Sequence, residues 1–192
     1  MALSPELAMF CVNWRTKAEA YSREGIGGAF DRFFTLYVVF NRLYAEATFR
    51  LARRGQVKLK DRFPDSKGAR EYVLQFCGAE ALTRAWDGDP NTMAALHQIA
   101  DHLREGRFAL KLDMMTGERK PDADSELLGA LESRSRNRRA RAVLDALYAI
   151  RCNMFHGHKG FDPIQLALLR PAVLLLESTI DVLLGILEAD GG

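Results

Sequence analysis

The chain has 192 residues, of which 48% are hydrophobic and 27% are charged, and its formal net charge is +2. This composition is typical of one ordinary globular domain with a sizeable buried core. The near-neutral charge excludes a globally basic nucleic-acid binder, so any such contact must come from local patches. The three cysteines are odd in number and widely spaced, which favours reduced thiols in a cytoplasmic protein over a disulfide framework.

The first helix is predicted to begin at Ser4. The sequence Ser-Pro-Glu is typical of a helix start, because serine caps free backbone amides and proline suits the first turn. This helix should run to about Ser22, where the glycines at 25–28 should break it. The beginning of the chain has neither the basic leader nor the long apolar core of a signal peptide.

A long second helix is predicted from about Ala29 to Arg54, with Gly55 as its stop. Mostly aromatic side chains run along it at helical spacing, which indicates a buried face. This stripe consists of Phe30, Phe34, Tyr37, Asn41, Tyr44, Thr48 and Leu51, widened by Phe33 and Phe40. Because a buried amide needs hydrogen-bond partners, Asn41 is expected to find them on the C-terminal helices.

The middle of the chain, about residues 56–136, is predicted to be a less regular helical insertion. The polar stretch from Gln56 to Lys67 is either a solvated loop or a surface that contacts phosphate. Residues 116–124 should also form a loop. His97 and His102 do not share a helix face, so no metal site is expected. Shorter helices should lie at Ser66–Phe76, Ala79–Trp86, Asp89–Leu103 and Ser125–Ser133.

Five arginines lie close together just before the next predicted helix. They are Arg134, Arg136, Arg138, Arg139 and Arg141. Such a run is either a solvated helix face or a patch that binds a nucleic-acid backbone.

The helix that follows is predicted from apolar residues that recur near a period of 3.6: Ala140, Val143, Leu144, Leu147, Tyr148 and Ile150. Gly157 is a plausible stop, so His156 should fall in the last turn. Near this end the segment from Arg151 to His156 reads Arg-Cys-Asn-Met-Phe-His. Arginine is always charged and histidine titrates near neutral pH, so the pair suits acid–base chemistry on a phosphodiester.

Two other interpretations of this segment remain open. Arg151 could be a solvated charge, and His156 could cap the carbonyls at the helix end. The two residues are also about 140° apart around an ideal helix. They can therefore meet only if the helix end deforms or if a partner chain supplies one of them.

The last helix is predicted to begin at the sequence Asp-Pro-Ile-Gln from Asp162. Two apolar stripes follow, and they leave only a narrow polar line of Arg170, Glu177, Asp181 and Glu188. This helix should be buried on most sides or pack in a dimer. The same charges interrupt the apolar run, so no membrane span is expected.

The segment from Arg151 to His156 resembles the R-x-x-x-x-H signature of HEPN domains. The preceding Leu-Tyr-Ala-Ile and the following Gly157 are similar to the "lyxiRNxxxHG" context of bacterial members. Phe40 to Tyr44 also resembles a segment of these proteins. The chain departs from the family at Cys152, where a polar residue is frequent, and at His158, where some members have tyrosine.

The resemblance implies an all-α antiparallel helical bundle, with residues 1–192 forming a single HEPN-like domain. It implies a metal-independent endoribonuclease of a toxin–antitoxin or antiviral defence system, which works without cofactor as a homodimer with the motif at its interface. An antitoxin or another defence protein would be a further partner.

The same resemblance implies roles for individual residues. His156 would exchange a proton with the ribose 2′-hydroxyl, Arg151 would stabilise charge on the phosphate, and Asn153 would orient the histidine or the phosphate. The five arginines, together with His158 and Lys159, would bind RNA. The alternative is a non-catalytic HEPN-like module that binds RNA or a partner protein.

Overall fold

The computed structural model describes residues 3–21, 25–59, 63–113, 115–155 and 163–190, and these ranges form eight α-helices. In chain order they are α1 (Pro5–Glu19), α2 (Ile26–Arg53), α3 (65–77), α4 (Ala79–Gly88), α5 (Pro90–Arg104), α6 (Pro121–Leu131), α7 (Arg136–Phe155) and α8 (Leu166–Ala189). The described residues contain no β-strand, and one isolated bridge joins Leu112 to Arg119. The all-α prediction is therefore confirmed for this part of the chain.

Several helix boundaries follow the capping signals in the sequence. The Ser4 hydroxyl accepts a hydrogen bond of 3.2 Å from the amide of Leu7, as predicted. The carboxylate of Asp89 caps α5 in the same way and accepts a bond of 3.0 Å from the amide of Asn91. Helix α6 begins at Pro121, so the predicted loop over 116–124 is wrong for its last four residues. Proline explains the early start, because its fixed φ suits the first helical turn.

Helix α3 is irregular and packs closely on α2. It consists of an α-helical turn at Asp65–Lys67, a π-helical turn at Gly68–Tyr72 and an α-helical segment at Val73–Cys77. Such π turns are frequent at functional sites. A Cβ atom at Gly68 would come within 3.0 Å of a ring carbon of Tyr44, so glycine allows the close approach of the two helices.

Helix α2 provides the centre of the core, but its buried face is rotated from the predicted one. Its most deeply buried side chains are Phe33, Leu36, Val39, Phe40, Leu43, Tyr44, Ala47, Thr48 and Leu51. Asn41 is exposed and Phe34 is 37% exposed, so the prediction that Asn41 is a buried hydrogen-bonding residue is wrong. Both residues lie about 100° around the helix from the centre of the true buried face. Aromatic residues on both sides of α2 made the predicted stripe too wide.

Helix α8 is covered by its own chain over most of its surface. It packs mainly on α2 and α5, and its buried residues include Leu168, Ala172, Leu176, Ile180, Leu183 and Leu187. Of the two predicted alternatives for this helix, burial on most sides is therefore confirmed. Among the helices that the structure describes, none is long and apolar enough to cross a membrane.

Polar contacts show that α2 and α8 run in the same direction. Arg32 pairs with Glu177 at 2.5 Å, and Arg50 donates a bond of 2.8 Å to the carbonyl of Leu187, so residue numbers rise together along both helices. The antiparallel arrangement is therefore wrong for this pair, because the long intervening chain returns before α8 begins. The buried Arg50 side chain also donates to Asp190 at the end of α8, which joins the two helices, and to Glu46 within α2.

Candidate active site at the end of helix α7

Arg151 lies in the last turn of helix α7. Its position is fixed because one face of this helix is buried in the core. The side chains of Ala140, Val143, Leu144 and Leu147 are in the core. Burial of this face sets the rotation of α7 about its axis. Arg151 consequently lies beside α2 and the beginning of α3, and its side chain is 22% exposed.

Two tyrosine rings and a carboxylate surround the Arg151 guanidinium group. Its central carbon lies 5.7 Å from the ring centre of Tyr37 and 5.9 Å from that of Tyr148, within the range of cation–π attraction. Its Nη1 atom lies 3.8 Å from a carboxylate oxygen of Asp65 and 3.9 Å from the sulfur of Cys152. Burial lowers the pKa of Arg151, but its contacts with Cys152 and Asp65 outweigh this effect, and the net shift is upward.

Asp65 connects the three helices that form the site. One carboxylate oxygen accepts a hydrogen bond from the Tyr44 hydroxyl of α2, and the other accepts one of 3.3 Å from the Tyr148 hydroxyl of α7. Burial, followed by the bond to Asp65, raises the pKa of Tyr44 well above its ordinary value. Burial raises the pKa of Tyr148 to about 12. Both hydroxyls are therefore protonated near neutral pH, as donation to a carboxylate requires.

Tyr37 adds a buried hydroxyl to the cluster. The residue is only 4% exposed, and within the described part of the chain its hydroxyl has no hydrogen-bond partner. Burial raises the pKa of Tyr37 well above its ordinary value, so this hydroxyl is neutral. Tyr37 therefore contributes to the site mainly through its ring, against which Arg151 lies.

A second ion cluster lies one turn earlier on α7. Asp145 accepts a bond of 2.5 Å from Arg70 and one of 3.2 Å from Lys111. Burial raises the pKa of Asp145, but these two cations outweigh burial and the net shift is downward. The guanidinium of Arg70 also lies 5.3 Å from the ring centre of Tyr148. The Tyr148 ring is therefore in contact with two cations, Arg70 and Arg151.

The structure places only one of the other site residues predicted near Arg151, namely Asn153. His156, His158 and Lys159 lie outside the described residues. Asn153 is 4% exposed, and its side-chain amide donates a bond of 3.0 Å to the carbonyl of Leu110. This bond ties the connection between α5 and α6 to the end of α7, so the amide of Asn153 has a structural partner, and its catalytic role stays a prediction.

The five predicted RNA-binding arginines do not form one patch around Arg151. Arg134, Arg136, Arg138 and Arg141 are exposed, whereas Arg139 is partly buried and pairs with Asp87. Arg136 lies 3.5 Å from Glu80. The nearest of the five along α7, Arg141, is ten residues from Arg151, which corresponds to about 15 Å of helix. The arginine-rich start of α7 is therefore separate from the site at its end.

The tyrosines and the carboxylate around Arg151 were missed by sequence reasoning. Tyr37 and Tyr44 looked like ordinary members of an aromatic stripe, and Asp65 looked like part of a polar loop. The helical spacing of Tyr148 and Arg151 was the only local signal. No group of three or more metal-ligating side chains occurs in the chain segments that the structure describes.

Comparison with protein-family models, with curated proteins and with solved structures finds no match to this chain. The interpretation of the site therefore depends on the residues and contacts described above.

Proposed function

We propose that the protein is a metal-independent RNA endonuclease of the HEPN kind, with Arg151 and His156 as its catalytic residues. One observation carries the proposal: the motif arginine is held between two tyrosine rings and beside Asp65 at the end of α7. A merely solvated arginine needs none of these contacts. A guanidinium with a fixed orientation suits the recognition of a phosphate, whose oxygens match its planar donors.

In the proposed reaction, the ribose 2′-hydroxyl attacks the adjacent phosphorus while His156 takes its proton. The bond from phosphorus to the 2′-oxygen forms and the bond to the 5′-oxygen breaks. The leaving 5′-oxygen takes a proton from water, and the other product ends in a 2′,3′-cyclic phosphate. Arg151 stabilises the negative charge that develops on the non-bridging oxygens, an effect of about 100-fold or more for a well-placed donor.

Tyr148, Asp65 and Asn153 are positioning residues in this mechanism. The ring of Tyr148 supports the guanidinium, and its hydroxyl is held by Asp65. Asn153 anchors the end of α7 through Leu110 and is too buried to contact RNA. These residues act on catalysis through the orientation of Arg151.

The direct test is cleavage of a single-stranded RNA by the purified chain in the presence of a chelator. We expect cleavage to persist, the products to carry a 2′,3′-cyclic phosphate, and a 2′-deoxy substitution 5′ to the scissile phosphate to block it. Activity that disappears with chelator and returns with magnesium would instead indicate metal-ion catalysis. His156→Ala should abolish cleavage, and it should relieve any growth arrest caused by expression of the wild type.

The active unit in this proposal is a two-fold dimer in which each site takes Arg151 from one chain and His156 from the other. The angular separation of about 140° on an ideal helix supports this arrangement. The apolar surface of α8 is largely buried within one chain, so it no longer supports the proposal of a dimer. That proposal is supported by the positions of the motif residues and by the family resemblance.

Mixing two inactive variants tests the shared site. In a mixed dimer of one Arg151→Ala chain and one His156→Ala chain, one of the two sites is complete, and activity should reappear. Subunit exchange, shown by pull-down with two tags, without any activity would contradict the shared site. A chain that is monomeric at working concentration would contradict the dimer.

A non-catalytic module that binds RNA or a partner protein, such as an antitoxin, is the second candidate. The hydrogen bond from Asn153 to Leu110 favours it, because one of the three predicted catalytic side chains has a structural role. This candidate predicts that the purified chain cleaves no RNA, while Arg151→Ala weakens binding to the partner.

A further inference from the structure

A groove of about 650 Å³ lies between α6 and α7, on the side of α7 that leads to Arg151. Its floor is formed by small or aliphatic side chains, namely Ala123, Leu127, Ala130 and Ala142. Its charged lining consists of Lys111, Glu126, Arg138, Arg141 and Asp145. The described lining contains no aromatic ring on which a base could stack, so the groove suits a sugar–phosphate backbone better than bases.

The groove presents two arginines, and the carboxylate of Glu126 also lines it. Arg138 and Arg141 take part in no ion pair with any residue that the structure describes. Asp145 is already paired with Arg70 and Lys111, so it does not cancel them. Arg136 and Arg139, only a few positions away, face α4 and pair with Glu80 and Asp87. Four of the five arginines therefore divide into two groove-facing and two α4-facing members.

The groove is aligned with the candidate active site. Arg138, Arg141, Asp145 and Tyr148 fall within about 80° of one another around an ideal helix, and they form one continuous stripe along α7. From Arg138 to Arg151 the helix rises by about 20 Å. The stripe therefore runs from the two groove-facing arginines, past the pair of Asp145 with Arg70, to the ring of Tyr148 beside Arg151.

We infer that the groove between α6 and α7 binds the phosphate backbone of the single RNA strand that flanks the bond at Arg151. The inference rests on the proposed function. The groove is a surface cleft of about 650 Å³ between two packed helices, which is large enough for part of one strand and too small for a duplex. Backbone contacts carry no sequence information, so Arg138 and Arg141 supply affinity and register while the base preference arises elsewhere.

Salt-dependent binding tests the inference. A fluorescent oligoribonucleotide with a 2′-deoxy block at the cleavage site is titrated with the full chain at several salt concentrations. The double variant Arg138→Gln with Arg141→Gln should lower the affinity about tenfold. The slope of log K against log salt should become shallower by about 1.4, since each phosphate that the protein neutralises adds about 0.7 to it.

Glu126→Gln should raise the affinity for the oligoribonucleotide, since it removes the one carboxylate of the groove that has no ion pair within the described residues.

The matched control is the double variant Arg53→Gln with Arg84→Gln. It removes the same charge from two exposed arginines that pair with Glu46 and Glu80 and do not line the groove. Affinity and salt slope should stay near those of the wild type. Equal reductions of affinity in the two double variants, or no reduction in either, would overturn the inference.

Cleavage measured on an unblocked oligonucleotide separates this inference from the proposed function. If the chain binds RNA through Arg138 and Arg141 but does not cleave it, the inference about the groove is supported and the nuclease proposal is wrong. If the chain cleaves RNA and the two double variants behave alike, the nuclease proposal is supported and the inference about the groove is wrong.

Discussion

The two ends of helix α7 carry the same kind of residue in opposite surroundings. At its start, most of the arginines are exposed, and two of the five pair with single carboxylates of α4. At its end, one arginine is held by the ring of Tyr148 on the same helix and by a second tyrosine ring and a carboxylate from other helices. The start can attract a polyanion, and the end can orient one phosphate.

The difference teaches that the number of charges is a poor guide to a site. Exposed guanidinium groups adopt many orientations and are screened by salt, so each contributes little to stability or specificity. A guanidinium with a fixed plane has given up that freedom during folding and can meet a phosphate without further cost. Surroundings, and not residue type, distinguish the two ends.

The largest expected effect concerns a third arginine, which is structural. Arg50 is buried and bonded to Glu46, Leu187 and Asp190. Arg50→Ala should destabilise the protein by about 3–5 kcal/mol, because it leaves the buried carbonyl of Leu187 and two partly buried carboxylates without their partner. Denaturant unfolding measures this change. The neighbouring Arg53→Ala, at an exposed side chain, should stay within about 0.5 kcal/mol of wild type. Similar destabilisation in both variants would contradict the structural role of Arg50.

The next effect concerns Asp145, in the middle of α7. Asp145→Asn should destabilise the protein by about 1–3 kcal/mol at neutral pH, because Arg70 and Lys111 are then without their charged acceptor. Since the folded-state pKa of Asp145 is lowered, its stabilisation is present above about pH 4 and is lost as pH falls through the folded pKa. Unfolding curves of the two proteins should therefore converge in acid.

Asp87→Asn on α4 is the matched control, because Asp87 pairs with Arg139 at the start of α7. Its pair with Arg139 is partly exposed, so the expected change is below about 1 kcal/mol at neutral pH. The difference in the free energy of unfolding between Asp145→Asn and the wild type could stay constant down to about pH 3, below the ordinary pKa of an aspartate. That result would show that charge pairing is not the cause of the difference.

A smaller effect tests how the Arg151 site is supported. Tyr148→Leu removes the ring beside the guanidinium and should lower kcat about tenfold with little change in KM, since the orientation of Arg151 is impaired and binding is not. Tyr148→Phe keeps the ring and removes only the bond to Asp65, so its kcat should fall about threefold or less. Equal reductions of kcat would mean that the hydroxyl, and not the ring, supports Arg151.

A further prediction, seen only at high pH, concerns tyrosine ionisation. The chain has five tyrosines, and the pKa values of Tyr37, Tyr44 and Tyr148 are raised, that of Tyr148 to about 12, above the ordinary value of about 10. The free energy of unfolding should therefore fall as pH rises above about 10, because the unfolded chain ionises first. Spectrophotometric titration should show late ionisation of three tyrosines. All five ionising together in the folded protein would contradict the buried cluster.

Local patterns predicted the helices well and the site only partly. The caps at Ser4 and Asp89 depend on neighbouring residues, and the structure confirms both helix starts. The rotation of α2 depends on which of several aromatic faces is buried, which is why Asn41 was wrongly placed inside. Periodicity shows that a helix is amphipathic, but neighbouring helices decide which face is covered.

The contacts of Arg151 could not be predicted from the local sequence, because they also depend on how distant helices pack. The bond from Tyr148 to Asp65 joins residues that are 83 positions apart, and the ring of Tyr37 comes from α2. The π-helical turn after Asp65 also has no clear sequence signal, although Gly68 marks the close approach to Tyr44. Only packing brings these side chains together.

The central claim is that Arg151 is catalytic and not structural, and a paired measurement on Arg151→Ala tests it most directly. RNA cleavage should fall by about 100-fold or more. The free energy of unfolding should change by less than about 2 kcal/mol, which is the stabilisation expected from the cation–π contacts of Arg151. Arg151→Lys should restore little activity, because an ammonium lacks the planar donors, and Arg84→Ala should retain full activity. Wild-type cleavage by Arg151→Ala, or a decrease in cleavage that unfolding accounts for, would contradict the claim.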